Sequence, residues 1–203
     1  MRRPAQSILE VTLAISIISL AMVGFLSLAT NNIRSGSESA KRNQALLFAE
    51  EGIEVVRNIR DSNWLAGCSA PGAIDCKQWN SGLSSGTNYR ALPKFDYPNN
   101  AWVLEFVNMS FDMCVSASGC KIYRSVDNVY SNKNIGTATE YARMVEINPI
   151  CADSLACGGD GICTSGLSCP GEVIGLQVVS RVRWTEKGKT RNVLLEERLY
   201  NWR

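Results

Sequence analysis

Two sets of residues have types and spacing that suit chemistry. The first is eight cysteines: Cys68, Cys76, Cys114, Cys120, Cys151, Cys157, Cys163 and Cys169. All of them follow a long apolar run. An even count on one side of such a run points to disulfides formed in an oxidising compartment. Zinc is the competing chemistry. No pair has the close C-x-x-C type of spacing, and the chain has no His to complete a ligand set. Neither a metal nor a cofactor is therefore expected. The second set is a single carboxylate, Glu10, at the start of the apolar run. From Val11 to Ile33 no residue is charged. In a plain membrane anchor Glu10 would sit at the interface near a helix N-terminus, where an acid is mildly favoured. Arg2 and Arg3 would then stay on the cytoplasmic side.

The lack of His also removes the commonest general base. No nucleophile–base–acid set is visible, so the chain reads as a non-enzyme. Formal charge is +2, from 21 basic and 19 acidic residues. Without Arg2 and Arg3 the balance is 19 against 19, or zero. This gives no electrostatic case for nucleic acid.

The apolar run must be a helix. About 20 residues at about 1.5 Å each span a bilayer. Val11–Ile33 is that long, and longer than the apolar part of a secretory signal, roughly 7–15 residues. Ser27-Leu28-Ala29 could still serve as a small-residue cleavage site, leaving a start at Thr30. The stretch after Asn32 does not read as a linker. Ala45, Leu46, Phe48, Ala49, Ile53, Val55, Val56 and Ile59 recur at three- and four-residue steps, the mark of an amphipathic helix. Glu38 with Lys41 or Arg42, and Glu54 with Arg57, are spaced to pair. The simplest reading is one helix from about Ser7 to about Arg60, with a bend near Ser35-Gly36-Ser37 as the alternative. Its second half should pack on a globular domain.

Residues 62–100 are rich in Gly, Ser, Asn and Pro and read as a connecting loop that Cys68 and Cys76 are placed to staple. The period then changes. "AWVLEFV", "MSFDMCV", "KIYRSV" and "EYARMVEI" read as strands, with Cys114 and Cys120 clamping a turn. In "IGLQVVSRVRWTE", Ile174, Leu176, Val178, Val182 and Trp184 share one face, and Gln177, Arg181, Arg183 and Thr185 the other. "EKGK" is a turn, and "TRNVLLEERLYNW" returns as the partner strand. The buried face of this hairpin needs a cover, which the amphipathic helix offers. Between strands, Cys151, Cys157, Cys163 and Cys169 recur at every sixth residue in a loop too poor in apolar residues for its own core. Two disulfides would close it, by any of three connectivities. Asp153 and Asp160 do not form an EF-hand pattern.

The N-terminal order is a short basic leader, Ala5, then Gln6-Ser7-Ile8-Leu9-Glu10-Val11 and the apolar run. This resembles the start of type IV prepilins and pseudopilins. The closing "VRWTEKGKTRNVLLEERLYNW" is similar to the end of minor pilins of the V type. The resemblance implies a cut by prepilin peptidase between Ala5 and Gln6. It departs from the family's usual Gly before the cut and Phe or Met after it. Glu10 would become the fifth mature residue and pair with the amine at Gln6 of a neighbour, setting register. At ~4 Å and an effective dielectric of ~20 the attraction is about 4 kcal/mol before desolvation.

The implied fold is α+β and pilin-like: a long N-terminal helix packed by its C-terminal half on an antiparallel β-sheet, with disulfide-closed loops. The divisions are a leader (1–5), a transmembrane or filament-core helix (6–33), its amphipathic continuation (34–61), a connecting loop (62–100) and a sheet domain (101–203) with a Cys-rich loop (149–172). The implied role is a minor pilin-like subunit, held in the inner membrane and then assembled into an extracytoplasmic filament. Its partners would be other pilin subunits, prepilin peptidase, the inner-membrane assembly platform and, before assembly, membrane lipid. A pseudopilin of a secretion system, or a membrane-anchored disulfide-rich binding domain, is the alternative.

Overall fold

A computed structural model describes residues 4–67, 78–84, 88–157, 159–164 and 169–201. Helix α1 (Pro4–Leu65) is followed by strands β1 (Arg90–Asp96) and β2 (Ala101–Phe106), helix α2 (Phe111–Ser116), and strands β3 (Lys121–Arg124), β4 (Tyr130–Ser131), β5 (Thr137–Cys151), β6 (Val173–Glu186) and β7 (Lys189–Tyr200). The chain divides into two compact units, Met1–Asn43 and Gln44–Arg203.

The first unit is helix alone. Every large apolar side chain from Ile8 to Ile33 is more than half exposed. Four hydroxyls within this run are satisfied internally. Thr12 donates to the Leu9 carbonyl (3.0 Å), Ser16 to Thr12 (2.8 Å), Ser19 to Ile15 (2.8 Å) and Thr30 to Leu26 (3.0 Å). Such back-bonding lowers the cost of placing a hydroxyl in an apolar medium. The helix is long and apolar enough to cross a membrane.

The second unit is a seven-stranded antiparallel sheet with a helical segment on each face. β5 is its centre. One edge of β5 pairs with β6 along almost its full length, and β7 lies beyond β6. The other edge is shared: β3 pairs with Thr137–Ala142, and β1 pairs at Val145 and Glu146. β2 and β4 continue outward from β1 and β3. The α1 segment after Gln44 covers one face. Ala45, Phe48, Ala49, Ile53 and Val56 pack on Tyr141, Val145, Ile147, Leu176, Val178, Val182 and Trp184. α2 covers the other, joining Phe111 and the Cys114–Cys120 disulfide to Leu92, Ala142 and Met144. β5 is therefore buried on both faces, which is why "EYARMVEI" alternates so weakly.

The hairpin of β6 and β7 forms as the sequence predicts, in register from Glu186–Lys189 to Gly175–Tyr200. Its two-residue turn places Lys187 at φ 50° and Gly188 at φ 75°, the left-handed pair that two-residue hairpins favour. Three expectations are corrected. α1 starts at Pro4 and runs to Leu65, beyond both expected ends. The expected loop 62–100 contains strand β1. Its Pro93 hid it, yet Pro93 lies past the Arg90–Ala91 pairing with β5 and needs no donor there. "MSFDMCV" is not a strand. Ser110 caps α2 by accepting from the Met113 amide at 3.3 Å, and Asp112 sits in the first turn, both of which favour a helix start. The Cys114–Cys120 disulfide thus ties a helix to the start of β3, not two strands together. Cys68 and Cys76 lie outside the described residues.

Candidate functional site

Three places bear on function: the exposed apolar helix, the seam that holds α1 to the sheet, and the Cys-rich loop. Glu10 is exposed on α1, at the start of the uncharged run. Ala5 and Gln6 belong to the same helix, and their side chains lie outside the description. The apolar side chains that follow Glu10 are exposed along the whole run.

The seam is built around Gly52 and Arg143. A Cβ on Gly52 would stand 2.5 Å from Ser180 Oγ, 3.1 Å from Val145 Cγ2 and 3.4 Å from Arg143 Cδ. Only Gly lets the helix lie this close. Beside it Arg143 is fully buried. Its Nη1 donates to the Phe48 carbonyl at 3.0 Å and to Glu51 Oε2 at 3.1 Å. Its Nε donates to Asn132 Oδ1 at 3.3 Å. Burial pushes the Glu51 carboxyl above the usual range, and the guanidinium pulls it back only in part. Asn132 in turn donates to the carbonyls of Cys120 (2.8 Å), Arg143 (3.1 Å) and Lys121 (3.3 Å), and its amide donates to Pro93 (2.9 Å). It fills the gap on the edge of β5 between β3 and β1. On β7, beyond β6, Glu197 accepts from Arg57 of α1 at 2.5 Å.

The Cys-rich loop leaves the end of β5 and folds back on it. Ile150 bridges Ile162, the Cys151 amide donates to Gly161 at 2.8 Å, and the Cys163 amide donates to Pro149 at 2.9 Å. A 3₁₀ turn, Ser154–Cys157, crosses between them. Asp153 and Asp160 each accept an amide two residues on, from Leu155 and Ile162, so both acids serve turns. Of the three connectivities the nested one is found: Cys151–Cys169 encloses Cys157–Cys163. The sulfurs of Cys151, Cys157 and Cys163 lie within 4.8 Å of one another. That spacing suits a metal, but all three are committed to disulfides, and among the described residues no cysteine is free.

No protein-family model matches the chain. Comparison with characterised proteins and with solved structures also gives no significant match. What the chain does must therefore be argued from its own residues.

Of the residues singled out from sequence, Cys151, Cys157, Cys163 and Cys169 are brought together, Cys114 and Cys120 form a separate disulfide, and Glu10 stands apart from all of them. The Arg143–Glu51–Asn132 network was not anticipated. A signal existed. Arg143 is in phase with Tyr141, Val145 and Ile147 on β5, so parity alone puts a cation on the buried face. Glu51 follows Phe48 by three residues on the helix stripe that meets that face.

Proposed function

We propose that the chain is a pilin-like structural subunit, a minor pilin of a type IV pilus, anchored by the first half of α1 and displaying its sheet domain outside the membrane. One observation carries the reading. A single helix presents a wholly exposed, uncharged apolar run behind one carboxylate, then continues into a segment packed on an antiparallel sheet. An exposed surface of this size needs an apolar surround, and its satisfied hydroxyls suit one. Lipid provides that surround before assembly, and parallel copies of the same helix provide it afterwards. In that setting Glu10 pairs with the amine at Gln6 of a neighbour, after a cut that follows Ala5. The Cys-closed loop and the sheet are then the displayed surface.

The test is the mature amino terminus, read by mass spectrometry from cells that contain prepilin peptidase. A start at Gln6 supports the reading. A start at Thr30 makes the chain a secreted disulfide-rich domain and ends the assembly account of Glu10. A retained Met1 or Arg2 makes it a simple membrane anchor. Glu10→Gln then isolates the pairing: the variant should be processed and membrane-inserted but should not enter filaments. Normal filament entry would refute the role given to Glu10.

A further inference from the structure

The four cysteines of the loop form an ordered array of sulfurs. Cys151 and Cys163 are buried, at 3% and 0% exposure, while their partners Cys169 and Cys157 are half-buried. The two buried sulfurs belong to different disulfides, yet they lie 3.1 Å apart. The array therefore reads Cys157–Cys163···Cys151–Cys169, with a half-buried cysteine at each end and a buried contact in the middle. The Ile150–Ile162 bridge and its flanking amide bonds hold Cys151 and Cys163 side by side on the two returning segments. The contact is therefore a product of the backbone.

Thiol–disulfide exchange needs a thiolate next to a disulfide sulfur and a leaving sulfur that can depart. The array meets both conditions once either outer bond is opened. We propose that the loop is a disulfide-exchange relay, in which attack by an external dithiol at Cys157 is passed through Cys163 and Cys151 and emerges as a free thiol on Cys169. The steps balance. The thiolate of the external dithiol attacks Cys157 Sγ, and Cys163 leaves as a thiolate. The second thiol of the reagent displaces Cys157, which takes up a proton, and the reagent departs as its own disulfide. Cys163 then attacks Cys151 Sγ, the Cys151–Cys169 bond breaks, and Cys169 leaves and is protonated. One dithiol has been oxidised, one protein disulfide remains, between Cys151 and Cys163, and the two outer sulfurs are thiols. The buried contact becomes the bond, and both thiols fall on the two half-buried cysteines. The relay does not depend on the filament reading, because it involves only the loop.

The experiment uses the full chain, oxidised, in detergent micelles, with a limiting amount of dithiothreitol. Thiols are trapped with N-ethylmaleimide, and the sites are mapped by fragmentation after cleavage at Asp153 and Asp160. In molecules whose loop has taken up two electrons, the label is expected on Cys157 and Cys169, with Cys151 and Cys163 bridged. Label on Cys157 and Cys163 with Cys151–Cys169 intact would overturn the relay, as would label on Cys151 and Cys169 with Cys157–Cys163 intact. Bridges to cysteines outside the loop would overturn it too. A second variant removes the need for reductant. Cys157→Ser leaves Cys163 as a thiol against Cys151, and the expected product is Cys151–Cys163 with Cys169 labelled. Persistence of Cys151–Cys169 with label on Cys163 would refute the proposal independently.

Discussion

Gly52→Ala should destabilise the protein, and the sign of that change tests the packing of α1 on the sheet. At an exposed helix position the same substitution stabilises by up to ~1 kcal/mol, because Ala gives up less backbone entropy than Gly. At position 52 the new methyl would stand 2.5 Å from Ser180 Oγ and 3.1 Å from Val145 Cγ2. The hydroxyl can rotate away, but Val145 is fully buried in the core and has little room to give. Overpacking of this kind costs about 1–3 kcal/mol. Because Val145 cannot move away, the upper half of that range applies, and set against the propensity gain the net loss should be about 1–2 kcal/mol. Ser180 sharpens the test. Its hydroxyl is buried without a partner, so Ser180→Ala alone should be neutral or mildly stabilising. In the Gly52→Ala background it removes the first clash, so the double variant should recover part of the loss, with a coupling of at least about 0.5 kcal/mol. The assay is urea unfolding of the full chain in detergent micelles, disulfides intact, followed by tryptophan fluorescence, since Trp79 packs against the cluster that holds Val145. A Gly52→Ala variant as stable as the parent, or more so, would show that helix and sheet are not this close.

Glu51 should make stability depend on pH in a defined direction. Burial raises its folded-state value above 4.5, so the fold favours the protonated form. Its contribution is complete below about pH 4.5 and is lost as pH rises through the raised value. Glu51→Gln, which keeps an acceptor for Arg143, should remove that part of the slope in unfolding measured from pH 4 to 7. Asn132→Ala should cost about 2–4 kcal/mol in the same assay, because three backbone carbonyls at the β1–β3 junction lose their donor. A chain starting at Gln44 and produced in an oxidising compartment should fold and stay soluble without detergent, since among the described residues no core residue precedes Ala45. Its denaturant midpoint and near-UV circular dichroism would check this.

The parts of the fold that were legible in sequence are those with one buried face. The β6–β7 hairpin alternates cleanly because α1 covers only one side of it, and Gly188 suits the left-handed backbone of its turn. The α1 stripe was readable for the same reason. β5 was blurred because it is buried on both sides, and β1 because Pro93 and Lys94 interrupt a short strand flanked by turn-forming residues. α2 was misread because Phe111, Met113 and Val115 alternate like a strand, while the deciding contacts are the Ser110 cap and the disulfide to Cys120. The count and spacing of the loop cysteines predicted disulfides but not their nesting. That is set by the Ile150–Ile162 bridge, a contact between segments.

α1 obeys two physical regimes in one continuous element, and this bears on what the chain can be. After Gln44 its apolar stripe is narrow, its glycine is buried against the sheet, and a buried arginine from β5 reaches its backbone. From Ile8 to Ile33 the apolar residues run all round the helix and none is buried. A helix that is apolar all round belongs in lipid or among other helices, whereas one with a single stripe belongs on a globular surface. The first regime ends where charged sequence begins, at Arg34, and the second begins at Ala45. A mere tether would need no helix that enters the sheet domain core. Glu10 and Gly52, more than 40 residues apart, therefore fall in different regimes: Glu10→Gln leaves the sheet core untouched, whereas Gly52→Ala acts on that core directly.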